Sequence, residues 1–261
     1  MTTALITGAS GGIGEAFARR LAEDGHDLVL VARSEEKLRE LRDELQAEHN
    51  ITAHYIAVDL TGFEADKQLF DETEKNGIEV DWLINNAGFG SMGDFATLDL
   101  ERELGMIDLN ISVLVALTHR YIGKMRERKS GTIINVSSTA GFQPIPFMAT
   151  YAATKAFVTL FSEAIAEENR PYGIQVFALC PGSTKTDFHA AAGIDASMGF
   201  KGQETADDVV ETAMRAVGSK RAKIISGWTN WVVATGVNFL PNSLITRVMG
   251  KGLRGKFQKD Q

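Results

Sequence analysis

The chain has 261 residues, enough for one large α/β domain or two small ones. Apolar residues make up 44% and charged residues 23%, the composition of a globular protein with a sizeable core. A formal charge of −7 argues against a general nucleic-acid binder, and a single cysteine, Cys180, leaves no room for an internal disulfide or a cysteine-based zinc site. The charge is uneven: residues 215–261 carry +8, leaving −15 on residues 1–214. The chain enters an apolar strand at Ala4-Leu5-Ile6 without a basic or cleavable apolar leader, and no window of about 20 residues is continuously apolar. A cytoplasmic protein without a transmembrane helix is the expectation.

In chain order, Thr3–Thr7 reads as a short apolar strand running straight into Gly8-Ala9-Ser10-Gly11-Gly12-Ile13-Gly14. A helix follows, with Ile13, Ala16, Phe17 and Leu21 on its apolar face, and Leu28–Val31 reads as a fully buried strand. Ser34 is placed to cap a helix reaching about Glu48, which keeps Leu38, Leu41 and Leu45 on one side; Lys37 stands where a capping-box glutamate would. Ala53–Val58 is a third strand ending at Asp59, and residues 62–76 predict a helix with Phe63, Leu69 and Phe70 inward. Trp82–Ile84 is a fourth strand, ending in Asn85-Asn86-Ala87-Gly88. A helical region from about Asp99 to Arg128 precedes the strand Thr132–Val136. A helix carrying Tyr151 runs to about Asn169, then come the strands Ile174–Leu179 and Lys223–Ser226. Short apolar strands alternating with helices predict an α/β fold: a doubly wound parallel sheet of about seven strands.

Three features carry chemistry. A glycine-rich turn between a strand and a helix lets the backbone approach a pyrophosphate, which the helix N-terminus also attracts. The spacing is Gly8-x-x-x-Gly12-x-Gly14, and a plain tight turn would need only one glycine. Arg33 stands just past the second strand, where an acidic residue would bind a ribose 2′-hydroxyl and an arginine suits a 2′-phosphate; the alternative is a solvated surface arginine. Tyr151 and Lys155 lie four apart on a helix, one turn from each other. Ionising a phenol of pKa about 10 at pH 7 costs roughly 4 kcal/mol. An ammonium about 5 Å away at an effective dielectric of about 20 returns roughly 3 kcal/mol, so the pair suits proton transfer near neutral pH. Taken alone it is also a common surface coincidence. The five histidines show no metal-ligand spacing, and no metal is expected.

The run Thr7–Gly14, then Asp59-Leu60, Asn85–Gly88, Asn110, Ser138, Tyr151, Lys155 and Pro181-Gly182, resembles the short-chain dehydrogenase/reductase family in order and spacing across about residues 3–227. The resemblance implies a Rossmann-type sheet and NADP(H) as cofactor, held by Gly8, Ser10, Gly12, Ile13, Gly14 and Arg33. It places Asp59 and Leu60 at the adenine, and Asn86, Ala87 and Gly88 at the adenosine-side ribose. Pro181, Gly182 and Thr186 would meet the nicotinamide. Ser138 would orient a substrate carbonyl and Tyr151 would donate or remove its proton. Lys155 would lower the Tyr151 pKa and hold ribose hydroxyls, and Asn110 would hold a water linking Lys155 to solvent. Each has a plainer reading: Asp59 as a cap, Asn85–Gly88 as a turn, Pro181-Gly182 as a strand end, Asn110 as a locally bonded amide.

The function so implied is an NADP(H)-dependent oxidoreductase acting on a carbonyl or secondary alcohol. A 3-oxoacyl thioester reductase shares every motif, and an NADP(H)-binding regulatory protein without turnover is the alternative of another class. Substrate choice should reside in Gly90–Phe95, Phe142–Met148 and a lid at about 183–203, all apolar segments that favour an apolar small molecule. Residues 1–227 would form the catalytic domain, and 228–261 a C-terminal helical extension of it. Trp228–Thr246 carries no charge and is followed by Arg247, Lys251, Arg254, Lys256 and Lys259. Three arrangements fit this extension: a flap on the cleft or on a dimer partner, a peripheral membrane contact, or a disordered basic end. The resemblance implies a homodimer through helices near 100–127 and 151–169, with a tetramer second.

Overall fold

The computed structural model describes residues 2–188, 192–193, 203–237 and 239–258. Its strands are β1 (Thr3–Thr7), β2 (Asp27–Ala32), β3 (Ala53–Ala57), β4 (Trp82–Asn85), β5 (Gly131–Val136), β6 (Ile174–Cys180) and β7 (Lys223–Ile225). They form one parallel sheet in the order β3-β2-β1-β4-β5-β6-β7. The helices are α1 (Gly12–Glu23), α2 (Glu35–Glu48), α3 (Ala65–Lys75), α4 (Leu100–Ile107), α5 (Leu114–Arg128), α6 (Ala149–Asn169), α7 (Ala206–Ala216), α8 (Trp228–Val237) and α9 (Asn242–Phe257).

Successive strand residues face opposite sides, so each strand feeds two cores. Ala4, Ile6, Leu28 and Leu30 pack against α1, α2 and α7, with Phe17, Leu38 and Val209. Leu5, Val29 and Val31 pack against α3 and α5, with Leu69, Leu117 and Tyr121. This two-sided burial is why the strands read as continuous apolar runs. The strand order reverses between β1 and β4, and the crevice at such a switch point is where ligands bind in open α/β sheets.

Two local expectations are corrected. Phe63 is 89% exposed rather than inward, because α3 begins only at Ala65, after Glu64 with φ 52°. Ser34 occupies the N-cap of α2, but its side chain makes no capping hydrogen bond. The C-terminal extension, for which three arrangements were open, is helical over Trp228–Val237 and Asn242–Phe257, and its inner side folds back on the body: Phe257 stacks on Phe147 with ring centroids 5.1 Å apart. Of the expected lid at 183–203, residues 189–191 and 194–202 lie outside the described residues. Its two ends meet, Lys185 N–H donating to Glu204 O at 2.9 Å and Gln203 Nε2 to Ser183 Oγ at 3.0 Å.

Candidate active site

The carboxyl ends of β1, β4, β5 and β6 open on one cleft of about 680 Å³. Its walls hold Gly8, Ser10, Gly12, Ile13 and Arg33 at one end, with Asn86, Ala87 and Gly88 following β4. Ser138, Tyr151, Lys155, Pro181, Gly182 and Thr186 complete it. Residues 178 positions apart in sequence thus meet, and the sheet topology is what brings them together.

At the β1 end, Thr7 and Asn86 tie two strands. Asn86 N–H and Ala87 N–H both donate to Thr7 Oγ1 at 3.0 Å, and Asn86 Nδ2 donates to Thr7 O at 3.0 Å and Gly8 O at 3.2 Å. Gly8 turns with φ +68°, a conformation that disfavours any side chain. Gly14 does not line the cleft. A Cβ there would stand 2.2 Å from Gly8 O, so its role is to let α1 start against the end of β1.

Asp59 and Leu60 do not line the cleft either. Leu60 is buried in the α3–α5 core, and Asp59 accepts on Oδ1 from Thr61 N–H at 3.0 Å and Thr61 Oγ1 at 2.7 Å. These bonds, with Arg33 as a lesser neighbour, hold its carboxyl below the usual range. Lys37, on the first turn of α2, lines the cleft beside Arg33. Its place four residues after Arg33, at the start of α2, is the sequence signal for a second cation there.

Asn110 lies on a π-helical turn, Asp108–Val113, that joins α4 to α5. Its amide is turned to Phe89 and to Thr154, whose hydroxyl donates to Tyr151 O at 2.8 Å. It sits behind the cleft wall rather than in it.

Around the chemical centre, Ser138 Oγ accepts from Ala140 N–H at 3.1 Å and reaches Pro181 O at 3.4 Å. Lys155 Nζ donates to Val136 O at 2.8 Å and stands 5.8 Å from the Tyr151 ring centroid. Burial sets both titrations: it pushes the Tyr151 phenol up to about 12, against a hydrogen bond with Ser138, and the Lys155 ammonium down to about 8. In the unliganded cleft the phenol therefore stands above its ordinary value, with loss of water as the cause. Tyr151 is a protonated phenol at pH 7.

Beyond Tyr151 the cleft is apolar, walled by Phe89, Ile145, Met148, Phe188 and Met249. Phe188 lies over Tyr151 with centroids 5.4 Å apart, and Thr186 on the same segment crosses to Gly12, its Cγ2 3.1 Å from where a Cβ would stand. Met92 and Phe95 do not line the cleft, and Phe95 is exposed. Gln143, Ile145 and Met148 line it from the expected segment Phe142–Met148; Asn230 and Met249 also line it, marked out by no motif.

A family model described as short chain dehydrogenase matches residues 2–196. A very-long-chain 3-oxoacyl-CoA reductase of Rattus norvegicus is 35% identical over 184 residues, covering 68% of this chain but only 58% of that protein's length. A 7beta-hydroxysteroid dehydrogenase of Mediterraneibacter gnavus is 30% identical over 229 residues, 87% of this chain and 86% of its own. Among solved structures, a short-chain dehydrogenase from Sphingobium yanoikuyae in complex with NADPH superposes with TM-score 0.82 at 31% identity, covering 100% of this chain and 98% of that one. With the family model spanning most of the sheet and these relatives matching most of the chain, the protein belongs to the short-chain dehydrogenase family.

Proposed function

We propose that the protein is an NADP(H)-dependent oxidoreductase acting on a carbonyl or secondary alcohol of an apolar small molecule. The observation that carries this reading is one cleft with Ser138, Tyr151 and Lys155 at its centre, a glycine turn at one end and apolar walls at the other. The residues present fit the dinucleotide. Gly8 and Gly12 turn with φ +68° and +57°, a Cβ at Gly11 would meet nothing within 4 Å, and Arg33 and Lys37 supply two cations for a 2′-phosphate. Gly8, Ser10, Gly12 and Ile13 would hold the pyrophosphate side, Asn86, Ala87 and Gly88 the ribose, and Pro181, Gly182 and Thr186 the nicotinamide. When bound, NADPH supplies a hydride to the substrate carbon.

In the reductive direction, Ser138 Oγ donates to the substrate oxygen and orients it, while the Tyr151 phenol delivers a proton to that oxygen. A phenol at about 12 is protonated at neutral pH, yet far more acidic than water at about 15.7, so it can protonate a developing alkoxide. Lys155, fixed on Val136 O, keeps a cation beside the phenolate that this leaves. Asn110 and Thr154 act as positioning residues through backbone contacts.

An apolar substrate is supported by the walls beyond Tyr151 and by relatives named for steroid and long-chain acyl substrates. A 3-oxoacyl thioester is the second reading, favoured by the 3-oxoacyl-CoA reductase relatives. The protein is read as a cytoplasmic homodimer: Leu104 and Ile107 of α4 and Phe157 and Leu160 of α6 present exposed apolar side chains suited to a second copy. A peripheral lipid contact through residues 228–261 belongs to the same reading.

The test is NADPH oxidation across ketones, aldehydes, steroids and 3-oxoacyl thioesters, with Tyr151→Phe as the blank. Turnover of an apolar carbonyl that falls at least about a hundredfold in the variant is expected. NADPH binding without oxidation of any of these, or a variant keeping more than about a tenth of kcat, overturns the reading.

A further inference from the structure

The inner and outer faces of α8 and α9 are used very differently. On the inner side Ala234, Ile245 and Gly250 are buried, and Asn230 and Met249 line the cleft. The outer side is apolar and uncovered: Trp228 is 79% exposed and Phe239 81%, with Trp231, Val233, Leu244 and Val248 also exposed. Leu244 and Val248 are one turn apart on α9, and Arg247, Lys251 and Arg254 form the adjoining row at the same helical spacing. Among the described residues, none of these three cations enters an ion pair within the chain, whereas thirteen pairs serve charges elsewhere.

We propose that this outer face docks on an anionic lipid surface, with the wall of the cleft resting on the bilayer. An uncovered band of tryptophan, phenylalanine and aliphatic side chains flanked by free cations matches the headgroup boundary, where rings bury and cations meet lipid phosphates. The extension itself points the same way: residues 228–258 carry Arg247, Lys251, Arg254 and Lys256 and no acid, in a chain of net charge −7. A second copy is a poorer occupant, because a two-fold contact through this face would bring Arg247, Lys251 and Arg254 against themselves. No helix among the described residues is long and apolar enough to cross a membrane, so the contact is interfacial.

The surface and the cleft are the two sides of one helix. Met249 faces the cleft while Val248 faces outward, and Gly250 lies against Pro146 of the segment between Ser138 and Tyr151. An apolar substrate dissolved in the bilayer therefore reaches the cleft without crossing water; this last step rests on the substrate class proposed above.

The experiment is co-sedimentation of the full chain with phosphatidylcholine vesicles, with and without phosphatidylserine, at low salt. Binding to the anionic vesicles with a blue shift of tryptophan emission is expected. Arg247→Glu/Lys251→Glu/Arg254→Glu should weaken it at least about a hundredfold. Trp231→Ser/Phe239→Ser should weaken vesicle binding as well and shrink the blue shift, which Trp228 still reports. Both variants should keep the far-UV circular dichroism of the parent and its turnover of a water-soluble ketone. Absence of vesicle binding overturns the proposal, as does binding that survives both variants. So does a concentration-dependent self-association that Trp231→Ser/Phe239→Ser abolishes while vesicles bind nothing. Vesicle binding by a chain that reduces no carbonyl sinks the functional reading and leaves the docking surface standing.

Discussion

Asn110 grips the backbone of Phe89 on both sides, its Oδ1 accepting from Phe89 N–H at 3.1 Å and its Nδ2 donating to Phe89 O at 3.0 Å. A helix can place a side chain this way because the π-helical turn at Asp108–Val113 displaces it from the regular ladder. The amide is buried and its contacts are matched in shape, so Asn110→Leu leaves a donor and an acceptor of Phe89 without partners. About 1–3 kcal/mol of stability should be lost, read by urea denaturation. Because Phe89 and Gly88 form cleft wall, kcat should fall as well, while Asn110→Asp should recover only the contact to Phe89 N–H.

Arg33 and Lys37 should set the cofactor preference. Replacing Arg33 by Ala removes one charge-assisted contact to a 2′-phosphate, worth about ten- to a hundredfold in affinity. The expected result is a drop of that size in kcat/KM for NADPH with little change for NADH, deepened by adding Lys37→Ala. Equal kcat/KM for the two cofactors in the parent would contradict the assignment.

Gly14 and Gly11 should separate folding from binding. Gly14→Ala drives a Cβ to 2.2 Å from Gly8 O, a backbone atom that can yield only by moving α1 off the sheet. A loss of about 2 kcal/mol or more in stability is expected, within the range for overpacked sites. Gly11→Ala meets nothing within 4 Å and should leave the melting temperature unchanged, while weakening NADPH binding in a fluorescence titration.

Lys155 should make the stability of the unliganded chain depend on pH. Its folded pKa, about 8, lies below the unfolded value near 10.5, so the unfolded chain holds the extra proton between those limits. Stability is therefore lowest below pH 8 and rises from about pH 8 to 10.5. Between pH 7 and 9.5 the gain from this group is about 2 kcal/mol. Tyr151 acts oppositely and later, since a folded pKa of about 12 costs stability only above pH 10. In Lys155→Met the rise between pH 7 and 9.5 should vanish, measured by urea denaturation at both values.

The sheet and the cleft were legible because their signals are local. Strands buried on both faces read as runs such as Leu28–Val31, and the motif residues Gly8, Asn86, Ser138 and Pro181 follow strand ends, with Tyr151 and Lys155 on α6. What sequence reading missed depends on distance and solvent. Phe63 looked inward because hydrophobic spacing does not show that Glu64 breaks the helix at φ 52°. Lys37 becomes a cleft residue only because α2 begins beside the glycine turn. The direction of the Tyr151 shift follows from how completely the fold excludes water around it, which no spacing of tyrosine and lysine encodes.

Thr186 and Phe188 belong to one short stretch, yet the first touches Gly12 and the second covers Tyr151. The glycine-turn end and the Tyr151 end of the cleft therefore share a roof. Lifting the stretch to let one molecule leave uncovers the place of the other. A change at either residue should therefore be felt at both ends, in KM for the cofactor and for the carbonyl alike.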